Sequence, residues 1–138
     1  MLKIFIGSEN DKEFLTEGLN YLKNKGINNE IVVSSVHRNP TMMPTIVKKI
    51  KEQKDKVIIA GAASATGLPG VLSGYLLDTN VVVLGVRFSK ESCPNIIEDA
   101  TFNLSSMPKN VPLAYLGYNE KGFLHACILS SKILKNNN

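Results

Sequence analysis

Five short runs of apolar, strand-forming residues alternate along the chain with stretches of helical periodicity. The runs are predicted to be β-strands, and they occupy Leu2–Ile6, Glu30–Ser34, Lys56–Ala60, Asn80–Leu84 and Val111–Leu116. The third run reads KVIIA and is apolar at every position after its first, as expected for a parallel strand that is covered on both faces.

Helices are predicted between the strands from apolar positions spaced three and four residues apart. The first follows an Asp11 cap and ends at Gly26, and the second begins with an Asn39 cap and Pro40. Three more are predicted: a helix over Pro69–Leu77, a short one near Asn95–Thr101 and a final one over Asn119–Ile133.

Strands that alternate with helices in this way indicate βαβ units. We therefore predict an α/β fold over residues 1–138, a single flavodoxin-like three-layer domain with a mainly parallel five-stranded sheet and a C-terminal helix. The longest mostly apolar run, Val57–Ala63, is too short to cross a bilayer, and Met1–Ile6 enters a strand without a signal-peptide pattern. These features predict a cytoplasmic protein with no membrane association.

Charge and composition narrow the function further. The net charge is +4, and Arg38 and Arg87 are the only arginines. Lysines are concentrated on the second predicted helix, but no aromatic residues or known nucleic-acid-binding motif accompany them. We therefore interpret these lysines as an exposed helix face and predict no nucleic-acid partner. This basic group consists of Lys48, Lys49, Lys51, Lys54 and Lys56.

Histidines and cysteines are few and isolated. Cys93 and Cys127 form no CxxC motif, and two separate histidines give no ligand spacing, so no metal site is predicted. Cys127 falls in an apolar helical run and is predicted to lie in the core. Neither GxGxxG nor GxxxxGK[ST] occurs, so the usual signatures of dinucleotide and P-loop nucleotide sites are missing.

The candidate chemistry lies in the loops that follow the strands, because ligands of open parallel sheets bind beyond the carboxyl ends of the strands. Small residues and hydroxyls before helix N-termini suit a phosphate or carboxylate, and Arg38 can bind such a group with two parallel hydrogen bonds. An anionic small molecule is therefore predicted. The loops are Gly7–Asp11, Ser35–Pro40, Gly61–Gly70 and Gly85–Arg87.

His37 is the one candidate acid or base in these loops, since an imidazole exchanges a proton near neutral pH. His125 lies in the last predicted helix and is interpreted as a packing or interface residue. Simpler interpretations stay open at this point: Ser8 and Asp11 could serve only as a turn and a helix cap, and His37 could be a solvent-facing loop residue.

The loop sequences resemble the motifs of the PurE family. GSEND at Gly7–Asp11 is similar to GSxSD, and SVHRNP at Ser35–Pro40 is similar to SAHRTP. Ala60–Ala62 and Leu68–Gly70 resemble the two ends of AGAGGAAHLPG. Later landmarks occur in the family's order and are similar to LGVP, QMP and the closing LLAAQIL helix; they are Leu84–Val86, Ser106–Pro108 and Ile128–Leu134.

The resemblance implies an activity. Class I members are N5-carboxyaminoimidazole ribonucleotide mutases of purine biosynthesis, which move CO2 from N5 to C4 to give 4-carboxyaminoimidazole ribonucleotide. Class II members carboxylate aminoimidazole ribonucleotide directly. Arg38 favours class I, because class II has Lys at this position. The resemblance also implies a homo-octamer with its sites at subunit contacts, and no metal or organic cofactor.

The resemblance also implies site residues, each by its position in a family motif. His37 matches the family's catalytic histidine, which manages the proton at C4 of the substrate. The resemblance places Asp11 on the ribose hydroxyls and Arg38 with two serines on the ribose phosphate. The loop after the third strand is expected to hold the aminoimidazole and the travelling CO2. The substrate-binding residues implied in this way are Ser8, Asp11, Ser35, Arg38, Ala62, Ser64 and Leu68.

The departures from the family pattern concentrate in the substrate loop. Gly67 stands where class I members have a second histidine, and Ala63–Ser64 replaces Gly-Gly. Asn10 and Arg87 replace a Ser and a Pro of other motifs. Two alternatives therefore stay open: a PurE-like paralogue that acts as a carboxylase or decarboxylase on a related ribotide, and a non-catalytic module that binds a phosphorylated metabolite.

Overall fold

A computed structural model describes residues 1–63, 67–89 and 104–135 of the chain. Its strands are β1 (Leu2–Ile6), β2 (Asn29–Val33), β3 (Val57–Ala62), β4 (Val82–Arg87) and β5 (Ala114–Tyr118). Its helices are α1 (Thr16–Asn24), α2 (Met43–Glu52), α3 (Gly67–Tyr75) and α4 (Asn119–Lys135). Short 3-10 helices over Glu9–Phe14 and Pro40–Met42 precede α1 and α2.

The five strands form one parallel sheet in the order β2-β1-β3-β4-β5. The chain moves outward from β1 to β2 and then crosses back to β3 on the other side of β1, so strand order reverses between β1 and β3. This is the flavodoxin-like arrangement. The predicted α/β class and the mainly parallel five-stranded sheet are confirmed.

Two apolar layers hold the helices on the sheet. Ile4 and Ile6 of β1 face α1 and α4, whereas Phe5 between them faces α2 and α3, because side chains alternate along a strand. Helices α1 and α4 approach closely where Gly18 faces Phe123: a Cβ at Gly18 would lie 2.5 Å from the Phe123 ring. The sheet is therefore covered on both faces, which gives the three layers.

Cys127 lies in the first of these layers and is fully buried. Burial raises the pKa of its thiol to about 12, because an apolar surrounding disfavours the thiolate. The prediction that Cys127 is a core residue is confirmed, and its neutral thiol suits a packing role. Cys93 and the predicted short helix near Asn95–Thr101 lie outside the described residues.

Several predicted boundaries were wrong by a few residues. The predicted Gly85–Arg87 loop belongs to β4, which is longer because its backbone stays paired with β3 as far as Ala62 and Arg87. Helix α3 begins at Gly67 and ends at Tyr75 rather than spanning Pro69–Leu77. Strand β5 also starts later than predicted, at Ala114.

The predicted helix caps were wrong in detail. Ser8 rather than Asp11 caps the first helical segment, and its Oγ accepts a hydrogen bond from the Asn10 backbone N–H at 3.2 Å. Asn39 makes no side-chain cap bond. The Asn119 side chain binds Ser89 instead of capping its own helix: its Oδ1 accepts from the Ser89 N–H at 2.9 Å and its Nδ2 donates to the Ser89 carbonyl at 3.0 Å.

The surface of the described chain agrees with the interpretation of the basic group. All five lysines of the basic group are exposed, as predicted for a solvated face. None of the helices in the described ranges is both long and apolar enough to cross a bilayer.

A buried ion pair lies at the amino end of the sheet. Lys3 of β1 is 2 % exposed, and its Nζ donates to Asp55 Oδ2 at 2.5 Å and also to Gln53 Oε1. Asp55 is 6 % exposed and lies just before β3. The pair thus fixes the start of β3 against β1, and removing one partner would leave the other charge buried alone.

We predict that Lys3→Met lowers the free energy of unfolding by about 3–5 kcal/mol, because the Asp55 carboxylate loses its cation inside the protein. Urea denaturation at fixed protein concentration measures the effect. Lys51→Met is the matched control, since it removes an exposed pair in which Lys51 Nζ lies 2.9 Å from Asp78 Oδ1. The control should unfold at nearly the wild-type midpoint; equal midpoints for the two variants would contradict the prediction.

Candidate active site

A cavity of about 280 Å³ opens at the carboxyl ends of β2, β1 and β3. It lies where strand order reverses, at the edge that the sequence analysis identified from the loops. Three segments line it: the loop after β1, the loop after β2, and the end of β3 with the start of α3.

The loop after β1 contributes Gly7, Ser8 and Asp11. The Ser8 hydroxyl accepts the Asn10 N–H, which leaves its own proton available to a ligand. Asp11 is only 5 % exposed. An ionised carboxylate can only accept hydrogen bonds, so Asp11 suits ligand hydroxyls and not a phosphate.

The loop after β2 presents His37 and Arg38 at the cavity. Val36, His37 and Arg38 form a turn that Ser35 closes: its Oγ accepts the Arg38 N–H at 3.1 Å, and its carbonyl accepts the Asn39 N–H at 2.9 Å. His37 and Arg38 are both exposed, so a ligand can reach the imidazole and the guanidinium from solvent. Their adjacent positions place a proton-transfer group beside a cation.

The third wall consists of small and apolar residues. Ala62 ends β3, Ala63 follows it, and Gly67 and Leu68 begin α3. Ala62 and Leu68 are buried. This wall has no charged side chain, so the cavity is polar on the side of the first two loops and apolar on the side of α3.

Seven of the predicted site residues therefore meet at one cavity, and Ser64 lies outside the described residues. These seven are Ser8, Asp11, Ser35, His37, Arg38, Ala62 and Leu68. Gly7 and Val36 also line the cavity and were missed as site residues. Both stand inside the motifs GSEND and SVHRNP, next to residues that were predicted, and this position was the available signal. The roles of all these residues stay predictions.

His125 lies away from this cavity, in a cleft between β5 and α4 that also includes Tyr118 and Lys121. It is exposed in the single chain, so packing within the domain does not explain it. In the described part of the chain, no three His, Cys, Asp or Glu residues cluster as metal ligands.

Arg87 was predicted to lie in a loop near the pocket, and this prediction was wrong. It ends β4, is fully buried and does not line the cavity. No described residue forms a hydrogen bond with its guanidinium nitrogens. Burial lowers the pKa of Arg87, and the nearby Tyr115 and Tyr118 oppose this shift. The interior therefore holds a cation that has no hydrogen-bond partner among the described residues.

The topology and the cavity define a parallel α/β domain with a small-molecule site at its topological switch point. The family model for AIR carboxylase matches residues 1–138. The chain belongs to the AIR carboxylase family, and the resemblance to PurE is confirmed.

Relatives from distant organisms agree with this family. Proteins named N5-carboxyaminoimidazole ribonucleotide mutase from Saccharolobus solfataricus and Thermotoga maritima are each 33% identical to the chain. The alignments cover 95% and 94% of this chain and 78% and 74% of the relatives. The enzyme of that name from Pseudomonas aeruginosa is 31% identical over 97% of this chain and 79% of its own length.

We predict that Arg87→Met raises the free energy of unfolding by about 1–3 kcal/mol, because it replaces a buried charge, which no described residue hydrogen-bonds, with an apolar side chain of similar length. Urea denaturation at fixed protein concentration measures this change. Arg38→Met is the control, because Arg38 is exposed, and it should leave the free energy of unfolding unchanged. A decrease on Arg87→Met would show that the guanidinium stabilises the fold.

Proposed function

We propose that this chain is an N5-carboxyaminoimidazole ribonucleotide mutase that forms 4-carboxyaminoimidazole ribonucleotide. The observation that carries the proposal is the meeting of His37, Arg38, Ser8 and Asp11 at one cavity in a chain of the AIR carboxylase family. The relatives named as this mutase support it, since they match nearly the whole chain.

The phosphorylated ribose would bind on the polar side of the cavity. Arg38 donates paired hydrogen bonds to the phosphate, and the hydroxyls of Ser8 and Ser35 donate to its remaining oxygens. Asp11 accepts hydrogen bonds from ribose hydroxyls, because its carboxylate would repel the phosphate. Hydrogen-bond donors thus bind the phosphate and an acceptor binds the ribose hydroxyls, and this fixes which way the base points.

The base would then lie against Ala62, Gly67 and Leu68, within reach of His37. In the first step the N–CO2 bond breaks, the nitrogen takes a proton from the His37 imidazolium, and CO2 is released in the cavity. In the second step C4 attacks CO2 and gives its proton to the neutral imidazole. The proton lost in one step is regained in the other, so one histidine serves both steps without a cofactor.

Retention of CO2 is the physical requirement of this reaction. Free CO2 would escape into water, so recapture needs a wall that holds it beside C4 without a competing nucleophile. The methyl and methylene groups of Ala62 and Leu68 offer such a wall, and neither side chain can attack CO2.

The same proposal includes the class of the enzyme, its compartment and its assembly. The chain acts as a class I enzyme, because Arg38 follows the motif histidine. It acts in the cytoplasm. It assembles as a homo-octamer, and exposed large apolar side chains such as Tyr75 and Leu77 support an assembled state, in which they would be covered.

We predict that the purified chain converts N5-carboxyaminoimidazole ribonucleotide to the C4-carboxylated product well above the uncatalysed rate. Formation of that product measures the activity, and aminoimidazole ribonucleotide with bicarbonate is assayed in parallel. Faster use of the second mixture would favour a direct carboxylase. Binding of both ribotides without turnover would favour the non-catalytic module, and turnover of another ribotide alone would favour the paralogue.

We further predict that His37→Asn lowers kcat by about 10²–10⁴-fold, because it removes the proton-transfer group. Folding and ribotide binding should persist, since Arg38, Ser8 and Asp11 are unchanged. His125→Asn is the matched control, because the other histidine is exposed and outside the cavity. Wild-type turnover in His37→Asn would refute the assigned role of this imidazole.

A further inference from the structure

The imidazole of His37 occupies the space that a side chain at position 67 would need. A Cβ built on Gly67 would lie 3.0 Å from His37 Cε1 and 3.2 Å from His37 Nε2. It would also lie 3.1 Å from Cγ1 of Val36. Ordinary carbon contacts are about 3.5–4.0 Å, so even an alanine would force the ring to move.

The backbone does not require glycine at this position. Gly67 is the first residue of α3, and the glycines with positive φ in the described chain are Gly26 and Gly117. Glycine is a weaker helix former than alanine. Conformational freedom therefore does not explain Gly67; in this chain the His37 ring lies where the side chain of residue 67, a histidine in class I members, would begin.

The start of α3 bounds the position of the His37 ring on one side. The turn closed by Ser35 fixes the backbone around His37. The imidazole itself makes no hydrogen bond to any other residue in the described ranges. Packing against the start of α3, where Gly67 leaves room for it, is therefore one restraint on this exposed ring.

We propose that Gly67 is a positioning residue for His37: the missing side chain lets the imidazole lie against the start of α3, facing the cavity. This proposal deepens the proposed mutase function and rests on it for its kinetic consequence. The geometric part, that Gly67 sets the location of the ring, concerns the protein without substrate.

Gly67→Ala tests the proposal. The new methyl group pushes the ring by a few tenths of an ångström, and misplacement on this scale is expected to lower kcat by about 10-fold. KM should change little, because the three atoms nearest to the new methyl group belong to His37 and Val36 and not to Arg38, Ser8 or Asp11. The free energy of unfolding should stay equal or rise, as expected for Gly→Ala in a helix.

Gly74→Ala is the matched control in the same helix. A Cβ at Gly74 would meet nothing within 4 Å, and the residue is exposed. This variant should gain similar stability and keep the wild-type kcat. A structural role for glycine in α3 would affect both variants alike, whereas positioning of His37 affects only Gly67→Ala.

A second measurement separates this proposal from the mutase assignment. Proton NMR of the substrate-free protein resolves the ε1 protons of its two histidines. Gly67→Ala should shift the His37 signal and leave the His125 signal in place, and Gly74→Ala should shift neither. An unmoved His37 signal, or a shifted one with unchanged kcat, overturns the proposal. If the wild type has no mutase activity, the proposed function fails, and the NMR comparison still decides whether Gly67 positions the ring.

Discussion

The candidate site depends on one constraint of a parallel sheet, that every strand delivers the loop after it to the same edge. Here the ends of three strands are level, because Ile6 of β1 pairs with Val33 of β2 and with Gly61 of β3. The loops that follow these three strands therefore lie close together at this edge. Reversal of strand order beside β1 keeps crossing helices away from that edge, and this leaves room for the cavity.

Hydroxyl groups at this edge have two compatible roles. Ser8 and Ser35 each accept a backbone N–H, which shapes the loop, and each keeps a proton that can be donated to a ligand. The simpler interpretation of Ser8 as a turn residue therefore does not compete with a binding role. A residue that fixes its loop in this way also fixes its own hydroxyl, which favours preorganised binding.

Hydrophobic pattern was enough to predict the strands and the edge that carries the chemistry, because apolar runs and the loops after them are local features. The pattern failed where contacts between residues distant in sequence determine the local structure. The fourth strand was predicted to end at Leu84 with Arg87 in the loop after it, but pairing with Ala62 draws Arg87 into β4 and into the interior. The approach of Gly67 to His37 joins the start of α3 to the loop after β2, which are distant in sequence, so only the folded geometry reveals that the ring fills the space beside this glycine.

The buried pair of Lys3 and Asp55 lies at the opposite end of the strands from the cavity. At a rise of about 3.3 Å per residue, the backbone from Lys3 to Gly7 spans roughly 13 Å. Effects at sites this far apart are usually additive. Selection can therefore alter the pocket while the anchor at the other end preserves the scaffold, which is consistent with a chain that shares a third of its residues with its relatives yet carries its own substrate loop.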